Sequence, residues 1–375
     1  MTKNSLKNGP DELGYYGEGE SAMGGMAVGE TLMPALHELN LAFEDAIKDK
    51  AFLDEFAYYC KHYIGRPSPL YYAENLSNKL GGAKILFKQE HLNHTGSHKI
   101  TNSLFQVLLA KRMGKKNLIC ESGAGQHYSA TAAVAAKFGI PLIGVMGEVD
   151  IKRVNQNIIK AKHYGAKLKA VPGTLKEAIT DAIKTWITNP DYYYVCGSAV
   201  SSFPFPKIVQ FAQSIIGREI REQCLEQEKK LPNMIIGCVG GGSNFIGSIH
   251  EFLDETSIKK IGVEAAETAA LTHGTPNIMQ GMKSYMLASS DGSKSLGGSS
   301  LGAGIQYFGV GPQHSYLKDQ GAVTYTSATD KEILNAYKVV AQTEGISSAL
   351  EPMAAAAEVL KQAKGCLLYT SDAAA

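Results

Sequence analysis

The sequence predicts an α/β protein built on mostly parallel sheets. From about residue 84 short apolar runs alternate with longer stretches of helical periodicity, the pattern of strands joined by crossover helices. One of those runs empties directly into three consecutive glycines, Gly240–Gly242, and ligands in such folds bind beyond the carboxyl ends of the strands. At 375 residues the chain is long enough for about two domains with sizeable cores.

In chain order, KILFK (84–88), NLICE (117–121), PLIGVMG (141–147), AKLKAV (166–171), YYYVCG (192–197), MIIGCVG (234–240) and KKIGVEA (259–265) read as strands. They are short, apolar and bounded by turn residues. Helical patterns near 99–113, 128–138, 151–164, 174–188, 207–229 and 243–254 separate them. ASSDGSKSLGGSSLGAG (288–304) is a Gly/Ser-rich loop, and LEPMAAAAEVLKQAKG (350–365) an amphipathic helix. The closing CLLYTSDAAA (366–375) stands apart from the fold as an anomalous tail, read as a truncation or scar, with a strand that could begin at CLLY.

Composition excludes several classes. A formal net charge of +1 gives no electrostatic attraction to nucleic acid or a membrane surface. No apolar run approaches the ~20 residues of a membrane span, and the polar N-terminus lacks a signal-peptide core. Six cysteines without a CxxC pair suggest reduced thiols. The expectation is a cytoplasmic protein.

Three stretches at strand ends carry chemistry. HLNHTGSHKITN (91–102) holds three histidines and a lysine. A metal site is disfavoured, because Asn93, Thr95 and Gly96 oppose the helix that would align His91, His94 and His98. A polar turn capping the next helix, through Ser97 or Thr95, fits better. Lys99 then falls in the first helical turn, where the macrodipole disfavours a cation and lowers a lysine's pKa. That suits an imine-forming lysine, although on position alone a solvent-facing structural lysine is the simpler reading.

CVGGGSNFIG (238–247) makes a cradle of backbone N–H groups, most naturally for phosphate. A dinucleotide fingerprint is the rival, but its third glycine would fall at Phe245. ESGAGQHYSATAAVAA (121–136) offers a second anion cup, with Glu121 over whatever binds; taken alone, a structural glutamate is the better reading. Together the three fit one ligand pair: a phosphate-bearing aldehyde cofactor, as pyridoxal phosphate is, and an α-amino acid whose carboxylate needs its own cup.

With those residues in place the chain resembles the tryptophan synthase β chain, a fold-type-II pyridoxal-phosphate enzyme, over nearly all of residues 13–365. The resemblance rests on GETLMPAL, GRPSPLYYAENLS, HLNHTGSHKITN, LLAKRMGKK, ESGAGQHYSATAA, FPFPKIV, KKIGVE, GMKSYML, GVGPQHSYLKD and TEGISSALE. It implies L-serine and indole as substrates and L-tryptophan as product, by β-replacement. Lys99 would join the cofactor and shuttle the α-proton of serine, and Glu121 would assist loss of the hydroxyl. His98, Gly240, Gly241, Gly242, Ser243 and Asn244 would hold the phosphate, with Gln126 and Glu344 by the ring. Ser122, Gly123, Ala124, Gly125, Gln126 and His127 would bind the amino-acid carboxylate. Backbone at Gly240, Tyr307 and Gly309 could hold a monovalent cation.

The implied architecture is two three-layer domains with the cofactor in the interdomain cleft. The first would be 1–64 with 98–210, including a mobile segment at about 114–198; the second 65–97 with 211–365. The implied assembly is a β–β homodimer with an α subunit, without nucleic acid or membrane. Three departures stand out. Gln306 replaces an aspartate that contacts substrate and the counterpart of Arg153. Met279 and Gln280 replace a pair that is often aromatic or histidine-bearing. The tail lacks the family's closing strand and its Ser-Gly-Arg-Gly-Asp turn, whose serine meets the pyridine nitrogen. Two alternatives remain open: another pyridoxal-phosphate serine lyase or β-replacement enzyme, and an impaired β-like subunit that binds an α partner.

Overall fold

The computed structural model describes residues 6–289, 296–363 and 367–371, the last stretch as backbone. Residues 290–295 of the Gly/Ser-rich loop, and residues 364–366 and 372–375 towards the end of the chain, lie outside the described residues. Two compact units form: Val28–Pro67 with Asn93–Gly197, and Met1–Ala27 with Ser68–Leu92 and Ser198–Ala374.

The unit containing 93–197 carries four parallel strands in the order Lys167–Val171, Leu142–Gly147, Asn117–Glu121, Tyr192–Tyr194. Helix Leu175–Thr188 packs across it and starts in a capping box of Thr174 and Glu177. Helix Lys99–Arg112 is buried continuously from Ile100 to Ala110. Phe43, Phe52 and Phe56 converge edge-on upon Phe105 at 5.2–6.0 Å, which covers its far side. The helical pattern expected over 151–164 divides into Glu148–Ile151 and Asn155–His163.

The other unit is built on six strands in the order Thr324–Ala328, Lys259–Ala265, Met234–Cys238, Leu367–Ser371, Lys84–Lys88, Leu70–Tyr72, parallel except for the last. Alternation along the strands feeds two cores. Ile85, Phe87, Ile236, Cys238, Ile261 and Val263 face helices Asp330–Glu344 and Glu351–Gln362. Leu86, Ile235 and Val239 join a second core with Ile216, Ile220, Phe245 and Leu317. This unit is therefore three-layered. The helical pattern over 207–229 divides at Ser214, whose hydroxyl donates back to Gln210 O at 2.7 Å.

One expectation is corrected here. The tail does supply a strand: Leu367–Ser371 lies between Lys84–Lys88 and Met234–Cys238, parallel to both. Without it those two strands would present unpaired backbone N–H and C=O groups at the centre of the sheet. The hairpin Thr275–Met279/Met282–Met286 turns through Gln280 and Gly281, both at positive φ. Among the described residues no helix is long and apolar enough to cross a membrane.

Candidate active site

In the unit containing 93–197 the histidine-rich stretch forms 3-10 turns broken by Thr95 at φ 72° rather than a helix. Among the described residues no group of three or more His, Cys, Asp and Glu is placed to hold a metal ion. Ser97 Oγ accepts from the Lys99 amide at 3.3 Å, and buried His98 is the N-cap residue. Lys99 opens the helix, as its sequence position requires. Its Nζ donates to Gly197 O at 2.6 Å.

Glu121 closes the strand Asn117–Glu121 and is 5% exposed. Its Oε1 accepts from Gly197 N at 3.2 Å, so the backbone of one residue holds both the amine and the carboxylate. Burial pushes the Glu121 pKa up to about 7, against its hydrogen bonds and the Lys99 charge. His127 also points here: one ring nitrogen meets Val195 O at 2.8 Å, and burial, followed by the Lys99 charge, lowers its pKa to about 3. It is a neutral ring at physiological pH. A Cβ on Gly197 would lie 2.4 Å from that ring, so only glycine fits between His127 and the amine–carboxylate pair.

The segment Ser122–His127 curls into a cup. Ser122 Oγ accepts from Gly125 N at 3.0 Å, Gly125 sits at φ 81°, and Asn157 Nδ2 donates to Ala124 O at 3.0 Å. Gln126 Oε1 is buried without a hydrogen-bond partner, the condition of a polar group shaped for a ligand.

Two residues that the sequence motifs did not single out hold this arrangement. Asn102 and Gln106 share the Lys99 helix face at i+3 and i+7. Gln106 pairs with Cys196 at both ends, Nε2 to O at 2.7 Å and Oε1 from N at 3.0 Å, while Asn102 Nδ2 donates to the same carbonyl at 2.8 Å. Two amide side chains at helical spacing on the Lys99 face were the available signal.

In the other unit the glycine loop leaves the strand Met234–Cys238. A Cβ on Gly240 would lie 2.8 Å from Gly304 O, on Gly241 1.9 Å from Ser198 Oγ, and on Gly242 2.1 Å from His314 Nε2. At all three positions a side chain would collide with these neighbours. The buried Asn244 side chain donates to Cys238 O at 3.0 Å and ties the loop to its strand. Buried Ser243 opens the following helix.

Glu344 is not gathered into this loop. Its Oε1 accepts from Leu76 N at 2.5 Å and its Oε2 from Tyr71 Oη at 2.7 Å. Glu351 accepts from Gly304 N at 2.8 Å, and burial raises its pKa. Gln306 donates to Gly298 O at 3.2 Å and accepts from Ser300 N at 3.4 Å, pinning the Gly/Ser-rich segment. Gln280 Nε2 donates to Tyr307 Oη. A Cβ on Gly309 would lie 2.2 Å from Met279 Sδ.

One unit thus carries a glycine loop at a strand end, and the other an amine beside a carboxylate whose pKa is raised. A family model for pyridoxal-phosphate dependent enzymes matches residues 62–366. A tryptophan synthase beta chain from Allorhizobium ampelinum is 48% identical over 372 residues, spanning 96% of this chain and 90% of that protein. The chain belongs to the tryptophan synthase β-chain family of pyridoxal-phosphate-dependent enzymes. Membership accounts for the fold, with its parallel α/β sheets, and for the cofactor. The residues present fit pyridoxal phosphate in their donor chemistry, since three successive glycines running into the helix at Ser243 offer backbone N–H groups without flanking side chains, the set a phosphate takes.

Proposed function

We propose that this chain joins L-serine and indole to give L-tryptophan and water. The observation that carries the reading is 48% identity to a tryptophan synthase beta chain across 96% of the chain, together with Lys99 and Glu121 meeting on the Gly197 backbone.

When bound, pyridoxal phosphate supplies an aldehyde for the amino group and a ring that accepts electron density from Cα. The protein's own groups do the rest. Lys99 Nζ takes and returns the α-proton, and between those events Gly197 O holds it. A carboxyl with a pKa of about 7 is available in both forms near neutrality, so Glu121 gives a proton to the departing hydroxyl and takes one from indole. The cup Ser122–His127 receives the serine carboxylate on its backbone N–H groups. Gly240, Gly241, Gly242, Ser243 and Asn244, with His98, receive the phosphate. Gln126 serves the cofactor ring, Gln306 the substrate side, and the backbone of Gly240, Tyr307 and Gly309 a monovalent cation.

The working assembly is a β–β homodimer in the cytoplasm with an α subunit delivering indole. The domains are 1–64 with 98–210 and 65–97 with 211–365, the segment 114–198 closing over substrate. The test is to supply pyridoxal phosphate, serine and indole and follow tryptophan. One observation favours a second reading, a serine lyase: Gln306, fixed by Gly298 and Ser300, offers an amide where the family has a carboxylate. Pyruvate formation that indole leaves unchanged would support it.

A further inference from the structure

The segment Gly311–His314 carries none of the chemistry described so far, yet it holds the glycine loop through backbone and side chain. Gly311 N donates to Gly241 O at 3.1 Å, and His314 Nε2 lies 2.8 Å from Gly242 O. Two successive loop carbonyls are therefore fixed from one side. In a trans peptide the carbonyl and the following N–H point in opposite directions. Fixing Gly241 O and Gly242 O toward this segment turns the N–H groups of Gly242 and Ser243 the other way.

The histidine is itself held in one form. A carbonyl only accepts, so Nε2 carries the proton. Nδ1 is then the acceptor, and Tyr325 Oη stands 2.8 Å from it. The ring is fully buried and lies parallel to Phe245, with centroids 6.0 Å apart, so it has little freedom to rotate. Burial lowers its pKa to about 4, which keeps the ring neutral at physiological pH.

We propose that His314, fixed in its Nε2-protonated form by Tyr325, is a positioning residue that aims the amides of Gly242 and Ser243 at the cofactor phosphate. This rests on the reading of the glycine loop as the phosphate cup. His314 touches neither substrate nor the reacting atoms; it acts through the loop backbone.

The measurement is the affinity of the protein, stripped of cofactor and reconstituted, for pyridoxal phosphate and separately for pyridoxal, which lacks the phosphate. The 31P shift of bound pyridoxal phosphate is recorded beside it. His314→Leu removes the donor. It should weaken pyridoxal phosphate binding by ~10–100-fold, the scale of one or two misdirected charge-assisted bonds. Pyridoxal affinity should change less than ~3-fold, and the 31P shift should move. His314→Gln, whose amide nitrogen reaches the Nε2 position, should restore most of the loss.

Equal weakening of both ligands, or of neither, would overturn the proposal. If His314→Leu fails to fold by circular dichroism, Tyr325→Phe takes its place. It should give a smaller loss confined to pyridoxal phosphate, and no such loss would overturn the proposal equally. Gly241→Ala separates the proposal from the reading beneath it, since its Cβ would intrude on the loop 1.9 Å from Ser198 Oγ. Should Gly241→Ala lose discrimination between the two ligands while His314→Leu keeps it, His314 has no positioning role and the cup stands. Should both keep it, the loop is not the phosphate cup and the proposal falls with it.

Discussion

Replacing Glu121 by Gln should stabilise the cofactor-free protein in a pH-dependent way. The carboxyl is 5% exposed and burial raises its pKa from 4.5 to about 7. A tenfold weaker acid corresponds to ~1.4 kcal/mol, so ionised Glu121 costs the folded state ~3 kcal/mol. The direction follows from linkage. Below pH ~4.5 both folded and unfolded chains carry the protonated acid and no penalty exists. As pH rises through the interval from 4.5 to about 7 the unfolded chain ionises first, and stability is lost. Above that interval the penalty is complete. Gln keeps an acceptor for Gly197 N and never ionises. Thermal unfolding at pH 8 should place Glu121→Gln above the parent by ~4 °C, with the gap closing toward pH 4.5. Other buried acids, such as Glu264 with its pKa raised by burial to about 7, titrate in both proteins and cancel. A difference independent of pH, or a variant less stable at pH 8, would refute the reasoning.

Lys99→Met should abolish the covalent link to the cofactor; borohydride reduction of the parent holoenzyme followed by peptide mapping should mark Lys99, and a mark on another lysine would sink the assignment. Glu121→Ala should leave that link intact while slowing tryptophan synthesis by ~10²–10⁴-fold, and near-parental synthesis would make Glu121 structural only. Gln306→Asp should lower the pyruvate released per tryptophan, modestly because exposed ion pairs contribute only ~0–1 kcal/mol; an unchanged ratio would remove Gln306 from the substrate side. Gln106→Leu strips a two-point pairing from buried Cys196 backbone and should cost ~2–4 kcal/mol in denaturant unfolding, with a loss under ~0.5 kcal/mol arguing against that role.

Much of the parallel framework was legible because its strands are short apolar runs between turn residues, and Met234–Cys238 and Lys259–Ala265 emerge nearly at their expected bounds. The helix breaks near 152 and at Ser214 were not, because local hydrogen bonds interrupt a pattern whose apolar period continues. The hairpin around Gln280–Gly281 hid because only one of its two positive-φ residues is glycine. A strand beginning at CLLY was readable in the tail, but its position in the sheet was not. Its place is set by pairing to Lys84–Lys88 and Met234–Cys238, both far away in sequence, and no local signal reports such partners. Lys99 and the glycine loop were visible because their chemistry is local. Gly197 and His314 became meaningful only through the chains folded against them, and Glu351 through its bond to Gly304.

The central claim is that Lys99 and Glu121, sharing the Gly197 backbone, carry out replacement of the serine hydroxyl by indole. It is tested most directly by giving the pyridoxal-phosphate-loaded protein L-serine and isotopically labelled indole and measuring labelled tryptophan by mass spectrometry against serine consumed. The account predicts one labelled tryptophan for nearly every serine lost, with none from Lys99→Met. Serine consumed to pyruvate at the same rate with or without indole, and no labelled tryptophan, would contradict it.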